Sequence, residues 1–155
     1  MKVNKIKYRQ KIYNHSIDDV FSFFSKPENL SKITPSRLGF YIKTPSPIVM
    51  KSGQLIDYII KIVGLPIHWR TLITEYQSPH LFVDQQIKGP YSLWHHKHLF
   101  EEIENGVEIC DIIHYSVPLG FIGSIINTLW IKKDLDSIFK YRSQVINDIF
   151  KQEES

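Results

Sequence analysis

The most informative segment of the chain reads Gly89-Pro90-Tyr91-Ser92-Leu93-Trp94-His95-His96-Lys97-His98-Leu99-Phe100. At a period of two residues, one side of a strand here carries four ring side chains, those of Trp94, His96, His98 and Phe100. Lys97 lies on the other side, and lysine is almost never fully buried, so we assign that side to solvent. The interior side is then aromatic and polar together. Since a buried polar group without a partner costs about 1–3 kcal/mol, this pattern favours a cavity wall over plain core.

The composition is that of an ordinary globular protein, with 155 residues, 43% of them hydrophobic, and a formal charge of +3. The basic residues are dispersed, so charge does not predict binding to nucleic acid or anionic lipid. Cys110 is the only cysteine, which excludes an intramolecular disulfide and C-x-x-C motifs. We expect one cytoplasmic domain over residues 1–155, without signal peptide or transmembrane segment. The oligomeric state is left open.

The first part of the chain predicts a strand and one or two short helices. Residues 3–13 alternate between apolar positions and a basic outer face, which is typical of a half-buried strand. Ser16 precedes an apolar stripe at helical spacing and predicts a capped helix that ends before Pro27. A second short helical piece is expected from about Pro27 to Ile33.

The rest of the chain predicts consecutive antiparallel strands and a closing helix. Alternation predicts strands near 38–42, 53–62, 67–74, 81–87, 93–103 and 107–116, with turns at 64–66 and at Asn105-Gly106. From Gly123 onward the apolar spacing changes to that of one amphipathic helix of about 25–28 residues. This order indicates an α+β fold, in which a curved antiparallel sheet of about six or seven strands encloses the C-terminal helix.

Several short motifs of the chain are similar to the START/Bet v 1-like (SRPBCC) superfamily, and more narrowly to bacterial stand-alone ligand-binding members akin to polyketide cyclases/dehydrases. The matching segments are residues 34–35, 56–58, 66–69, 82–86, 89–91, 94–100, 111–115, 118–120 and 138–142. The resemblance implies the helix-grip fold and a cavity between sheet and helix. It does not imply a reaction, because this scaffold carries enzymes, carriers and sensors alike.

We therefore expect a small hydrophobic or aromatic molecule as the partner of this chain. Aromatic faces for stacking and a few polar groups for orientation are typical of such pockets. The residues expected to line the pocket are Tyr58, Trp69, Asp84, Tyr91, Trp94, His96, His98, Phe100, Asp111, Tyr115, Phe139 and Arg142.

Two other uses of the histidines are open. His96 and His98 form an H-x-H pair that offers two metal ligands, with Asp111, Asp84 or Glu75 as a third. No spacing fixes that third ligand, so we assign no metal and no cofactor and favour a pocket-lining role.

In a cyclase/dehydrase-type enzyme, His98 or His96 would act as acid or base and Asp111 would orient it. A loop at Asn105-Gly106 predicts that opposed residues sum to about 211, which places Phe100 opposite Asp111 and His98 diagonal to it.

Three further expectations concern single features. Arg142 falls on the inner helical stripe and should have a carboxylate partner, one of the three acids named above. Cys110 should be an inert thiol on the outer side of its strand. The segment 117–123 is either a mobile lip of the cavity or a loop packed on the helix, and an exposed apolar patch around Phe121 and Ile122 would favour a protein-interaction module.

Overall fold

A computed structural model describes residues 1–153, with residues 152 and 153 described by their backbone alone. The strands are β1 (Asn4–Tyr13), β2 (Tyr41–Ile42), β3 (Leu55–Ile62), β4 (Leu65–Gln77), β5 (Leu81–Lys88), β6 (Leu93–Ile103) and β7 (Gly106–Ser116). The α-helices are α1 (Ile17–Phe24), α2 (Gly120–Ile126) and α3 (Lys132–Glu153), and short 3₁₀ turns span Pro27–Ile33 and Ser36–Leu38. These strands pair antiparallel in one sheet, in the order β1-β7-β6-β5-β4-β3-β2. The predicted α+β helix-grip fold is confirmed.

The local sequence signals explain the first elements well. In β1 the basic side chains are exposed and the residues between them are buried or half-buried, as the alternation predicts. The Ser16 side-chain oxygen accepts a hydrogen bond from the Asp19 backbone N–H at 3.1 Å, which caps α1. The predicted capped helix and the short helical piece after it are therefore confirmed.

Two predicted elements after these helices are wrong in detail. The strand expected at 38–42 is reduced to Tyr41–Ile42, because a 3₁₀ turn occupies Ser36–Leu38. The turn expected at 64–66 lies one residue earlier, at Val63 and Gly64, whose φ angles are 51° and 76°. Two successive positive φ angles suit a tight hairpin, so Pro66 is left inside β4.

The hairpin between β6 and β7 is also displaced from its prediction. Ile103 pairs with Gly106, so Glu104 and Asn105 form the turn and opposed residues sum to 209 rather than 211. His98 therefore lies directly opposite Asp111 instead of diagonal to it. The observed register brings the His98 imidazole and the Asp111 carboxylate closer together than the sequence predicted.

The predicted long closing helix is confirmed, but it begins at Gly120 and contains a π-helical turn that the sequence did not predict. A π-helical turn at Asn127–Ile131 separates α2 from α3. Because a π turn holds an extra residue, it rotates the apolar stripe on one side of it relative to the other. Leu129, expected on the buried stripe, is 67% exposed. The buried position is taken by Asn127, whose side-chain oxygen Oδ1 accepts a hydrogen bond from the Tyr115 hydroxyl at 2.7 Å.

The core divides into an aromatic centre and an end cluster, which both include residues of α3, and a small third cluster of Ile48, Ile56 and Ile73. In the centre, Leu135 and Phe139 of α3 pack with Trp69, Trp94 and Ile113 of the sheet. At the end, α1 packs on β5, β6, β7 and the last turns of α3. Of the helices described, none has the length and apolar character that crossing a membrane requires.

The segment 117–123 does not line the space beneath the sheet. Gly120 begins α2, and Phe121 and Ile122 are 79% and 61% exposed. The exposed apolar patch that would favour an interaction module is therefore present, on the outside of the molecule. Nothing in the structure shows what covers it.

Candidate functional site

A cavity of about 230 Å³ lies between the inner face of β3–β6, the 27–42 segment and α3. Its walls are mostly apolar and also carry several polar side chains. Nine of the twelve residues expected to line a pocket do line it, namely Tyr58, Trp69, Asp84, Tyr91, Trp94, His96, His98, Phe139 and Arg142. The inner face of β6 is buried as its alternation predicts, with His96 and His98 only 4% and 5% exposed.

The other three expected residues lie outside the cavity wall. Phe100 packs edge-on against Phe21 of α1, with ring centroids 5.0 Å apart. The Tyr115 side chain is buried, and its hydroxyl donates a hydrogen bond to Asn127 of the π turn. Asp111 lies behind the two histidines and lines a separate groove between β1 and α3.

Several apolar lining residues were not predicted from the sequence. They lie on α1, in the 27–50 segment, on β3–β5 and on α3, and include Leu30, Ile33, Phe40, Met50 and Ile138. Ile138 was on the predicted inner stripe of the helix, so its spacing was a signal. Phe40 belongs to the alternating residues 38–42, and Leu30 and Ile33 belong to the predicted short helical piece, so these three lie in segments that the sequence predicted. Met50 lies outside every predicted element.

Asp111 lies close to one ring nitrogen of each imidazole. The His96 Nε2–H donates to Asp111 Oδ1 at 2.8 Å. His98 Nδ1 lies 3.0 Å from the same oxygen, close enough for an ion pair but at an angle outside that of a well-formed hydrogen bond. The direct β6–β7 register produces this arrangement, because His98 and Asp111 are opposed residues.

Asp84 faces the remaining nitrogen of each imidazole. The His98 Nε2–H donates to Asp84 Oδ2 at 2.6 Å, and His96 Nδ1 lies 3.6 Å from that oxygen. The two rings stand one over the other, with centroids 3.7 Å apart. We call these four residues the inner cluster. Each of its histidines is thus bracketed by two carboxylates, one behind the wall and one at the cavity.

Burial and charge act in opposite directions on the carboxylates. Burial favours their neutral form, but the Arg142 guanidinium and the two imidazoles hold the pKa of Asp111 well below its usual value. For Asp84 the same burial effect is outweighed by His96, His98 and Arg142, so its pKa is also lowered. Both side chains are therefore carboxylates at neutral pH.

The two imidazoles are shifted in opposite directions. Burial and the neighbouring His98 lower the pKa of His96. Burial would also lower the pKa of His98, but its contacts with Asp111 and Asp84 outweigh it and raise the pKa. At a pH between these two pKa values the inner cluster holds one imidazolium, on His98. The charges of this imidazolium and of Arg142 then balance those of the two carboxylates.

Arg142 is buried as predicted, but its interaction with the predicted acids differs from the predicted contact ion pair. Its guanidinium lies 5.5 Å from the ring centres of Phe24 and Phe139 and acts on Asp111 and Asp84 through space. Among the described residues it has no ion pair within 4.0 Å. Glu75, the third acid considered, lies away from the cluster and accepts from Gln77 at 2.6 Å.

Two further side chains with buried polar groups are those of Trp69 and Cys110. In the described part of the chain, Trp69 Nε1–H is buried without a hydrogen-bond acceptor and belongs to a side chain that lines the cavity. Cys110 points to the outer side of β7, paired with Leu99 and Arg9, and is buried. Burial raises the pKa of its thiol, as expected for an unreactive cysteine.

No protein-family model matches the chain, and a search among curated proteins found no match. Solved structures do match over nearly the full length. A protein from Thermus thermophilus gives a TM-score of 0.76 at 10% identity and covers 98% of this chain and 100% of its own. Major latex-like protein 151 from Panax ginseng gives a TM-score of 0.69 at 10% identity, covering 96% and 97%.

Ara h 8.0201 matches with a TM-score of 0.59 at 13% identity, covering 94% of this chain and 99% of its own. The ginseng protein and Ara h 8.0201 are Bet v 1-like proteins. Likeness at such identities establishes the fold alone. The chain therefore has the Bet v 1-like helix-grip fold that its sequence motifs implied.

Proposed function

We propose that the chain is one binding domain that holds a compact, mainly apolar or aromatic molecule in the cavity between sheet and α3. The observation that carries this proposal is a mostly apolar wall in which Asp84, His96, His98 and Arg142 stand close enough to interact with one another. Apolar walls with a few convergent polar groups are typical of small-molecule sites. We also infer a cytoplasmic location, which the single unpaired cysteine supports.

Size and polarity narrow the ligand. The cavity of about 230 Å³ is smaller than the roughly 300–1,000 Å³ of sites for drug-sized molecules, which favours a compact ring system over a long lipid chain. The unpaired Trp69 Nε1–H favours a ligand with a hydrogen-bond acceptor, since a buried donor without a partner is costly.

A fluorescent naphthalene sulfonate tests the cavity, with native mass spectrometry of protein from its own cells to identify any retained ligand. Ile60→Phe narrows the cavity, and Ile59→Phe adds the same ring at the next position, which is not part of the wall. We expect Ile60→Phe to weaken probe binding roughly tenfold, because overpacking costs about 1–3 kcal/mol. Equal affinities for the two variants would contradict the proposal. Phe121→Ser controls for binding at the exposed patch.

An acid–base enzyme of the cyclase/dehydrase type is the second candidate. The observation that favours it is that both imidazoles are oriented by carboxylates and face the cavity. Under this hypothesis, His98→Ala and Asp111→Ala proteins that stay folded should bind the ligand but no longer convert it. If both variants convert the ligand at the wild-type rate, the acid–base enzyme hypothesis is excluded.

A further inference from the structure

We propose that His96 Nδ1, His98 Nε2 and Asp84 Oδ2 form a binding site for one divalent first-row transition metal at the cavity wall. One ligand atom from each of these residues lies within 4.8 Å of the other two. This inference goes beyond the organic ligand proposed above and does not depend on it. It also replaces the sequence-based expectation that no metal is bound.

The distances fit a metal after a small adjustment. Ligand atoms bound at about 2.1 Å with tetrahedral angles are about 3.4 Å apart. His96 Nδ1 is already 3.6 Å from Asp84 Oδ2, longer than a hydrogen bond, and His98 Nε2 is 2.6 Å from it. The carboxylate therefore needs to retreat from His98 by roughly 1 Å or less to reach that spacing. The metal would take the place of the proton between His98 and Asp84, which passes to water.

Asp111 supplies the orienting group that such a site needs. Metal-bound histidines usually donate their other ring N–H to a carboxylate, which fixes the ring and the tautomer. Asp111 Oδ1 lies 2.8 Å from His96 Nε2 and 3.0 Å from His98 Nδ1, the two nitrogens that do not face Asp84. Through its hydrogen bond to His96 and its charge contact with His98, Asp111 favours the tautomers that leave His96 Nδ1 and His98 Nε2 available to a metal.

The position of the site leaves room for a further ligand. Asp84, His96 and His98 all line the cavity, whereas Asp111 lies behind them. Two histidines and one carboxylate with open positions suit zinc or ferrous iron. A metal here would use the ring nitrogens that an acid–base mechanism requires, so the metal site and the acid–base enzyme exclude each other.

The test uses the full chain, stripped with a chelator and labelled with ¹⁵N at histidine. Zinc is added, bound metal is counted by elemental mass spectrometry, and the ring nitrogens are followed by NMR. We expect one zinc per chain and shifts at His96 Nδ1 and His98 Nε2. Unchanged nitrogens of these two rings, with zinc unbound or bound elsewhere, would overturn the site.

Variants separate the site from incidental histidine binding. His95 and His114 are opposed on the outer face of β6 and β7, with ring centroids 6.2 Å apart. Their joint replacement by alanine should leave zinc binding unchanged, and loss of binding in that variant would contradict the proposal. Asp111→Asn should weaken zinc binding roughly 10–100-fold, as expected for an orienting carboxylate. If zinc fails to bind while the naphthalene sulfonate still does, the metal site fails and the organic-ligand proposal stands.

Discussion

The chain contains two groups of aspartate and histidine that differ mainly in their surroundings. In the outer cluster, on β3 and β4, Asp57 accepts from Arg70 Nε at 2.7 Å and lies 2.7 Å from His68 Nε2. The side chains of Asp57, His68 and Arg70 are 24–42% exposed. In the inner cluster the histidine side chains are 5% and 6% exposed.

We interpret the outer cluster as structural and the inner cluster as functional. The outer carboxylate has an arginine fork beside it and solvent around it, so the arrangement is complete as a surface ion pair. The inner carboxylates have no such fork, and the two histidines between them line the cavity. Buried ionisable groups of this kind are costly and occur preferentially at functional sites.

The largest expected difference follows from removing one acid from each cluster. Asp111→Ala leaves an imidazolium buried with one partner fewer, and we expect it to lower the free energy of unfolding by about 3–5 kcal/mol. Asp57→Ala breaks a partly exposed pair and should cost about 0–1 kcal/mol. Urea denaturation of both variants measures this, and similar losses would mean that the clusters are energetically alike.

Replacing the arginine of each cluster gives a smaller effect. Arg142→Gln removes a buried charge that attracts Asp111 and lies over two phenyl rings, so we expect a loss of about 1–2 kcal/mol and a higher pKa of Asp111. Arg70→Gln should cost less than about 1 kcal/mol. Carboxyl ¹³C titration by NMR follows the pKa directly. An unchanged pKa of Asp111 in Arg142→Gln would show that the two groups do not interact.

The smallest expected effect concerns how the stability of the metal-free protein depends on pH. The raised pKa of His98 means that its stabilisation is present below about pH 6.5 and is lost as pH rises through its folded pKa. The lowered pKa of His96 has the opposite effect, since the unfolded chain takes up that proton below about pH 6.5 while the folded chain does not.

Together the two histidines predict a stability maximum near pH 6.5, with flanks no steeper than about 1.4 kcal/mol per pH unit. Urea denaturation between about pH 5 and 8 measures this profile. His95→Ala removes a histidine of the opposite face and should preserve the maximum. A stability that changes in one direction across the whole range would contradict the assignment of one imidazolium to the pair.

The sequence predicted which side chains face inward better than it predicted which of them contact each other. The two-residue period of β6 placed Trp94, His96 and His98 inside correctly, because a strand allows each side chain only two directions. A turn at Asn105-Gly106 predicts a diagonal contact of His98 with Asp111, whereas the observed turn at Glu104 and Asn105 makes them directly opposed. A turn displaced by one residue changes the register by two, and turn geometry rather than strand pattern decides it.

Asp84 shows the same limit over a longer distance. The sequence left Asp84, Asp111 and Glu75 open as a third metal ligand beside the histidines, because the loop from Gly89 to Ser92 does not fix the β5–β6 register. The structure pairs Asp84 with His96 directly. The π turn was likewise not predictable, since it changes the direction of the apolar stripe without changing its composition.

The central claim is that the inner cluster faces a cavity that binds a small molecule. A crystal structure of the protein purified from its own cells tests this most directly. We predict electron density in the cavity for a compact molecule or a metal ion in contact with Asp84, His96 or His98. A cavity filled by protein side chains, or histidine rings turned outward to bulk solvent, would contradict the account.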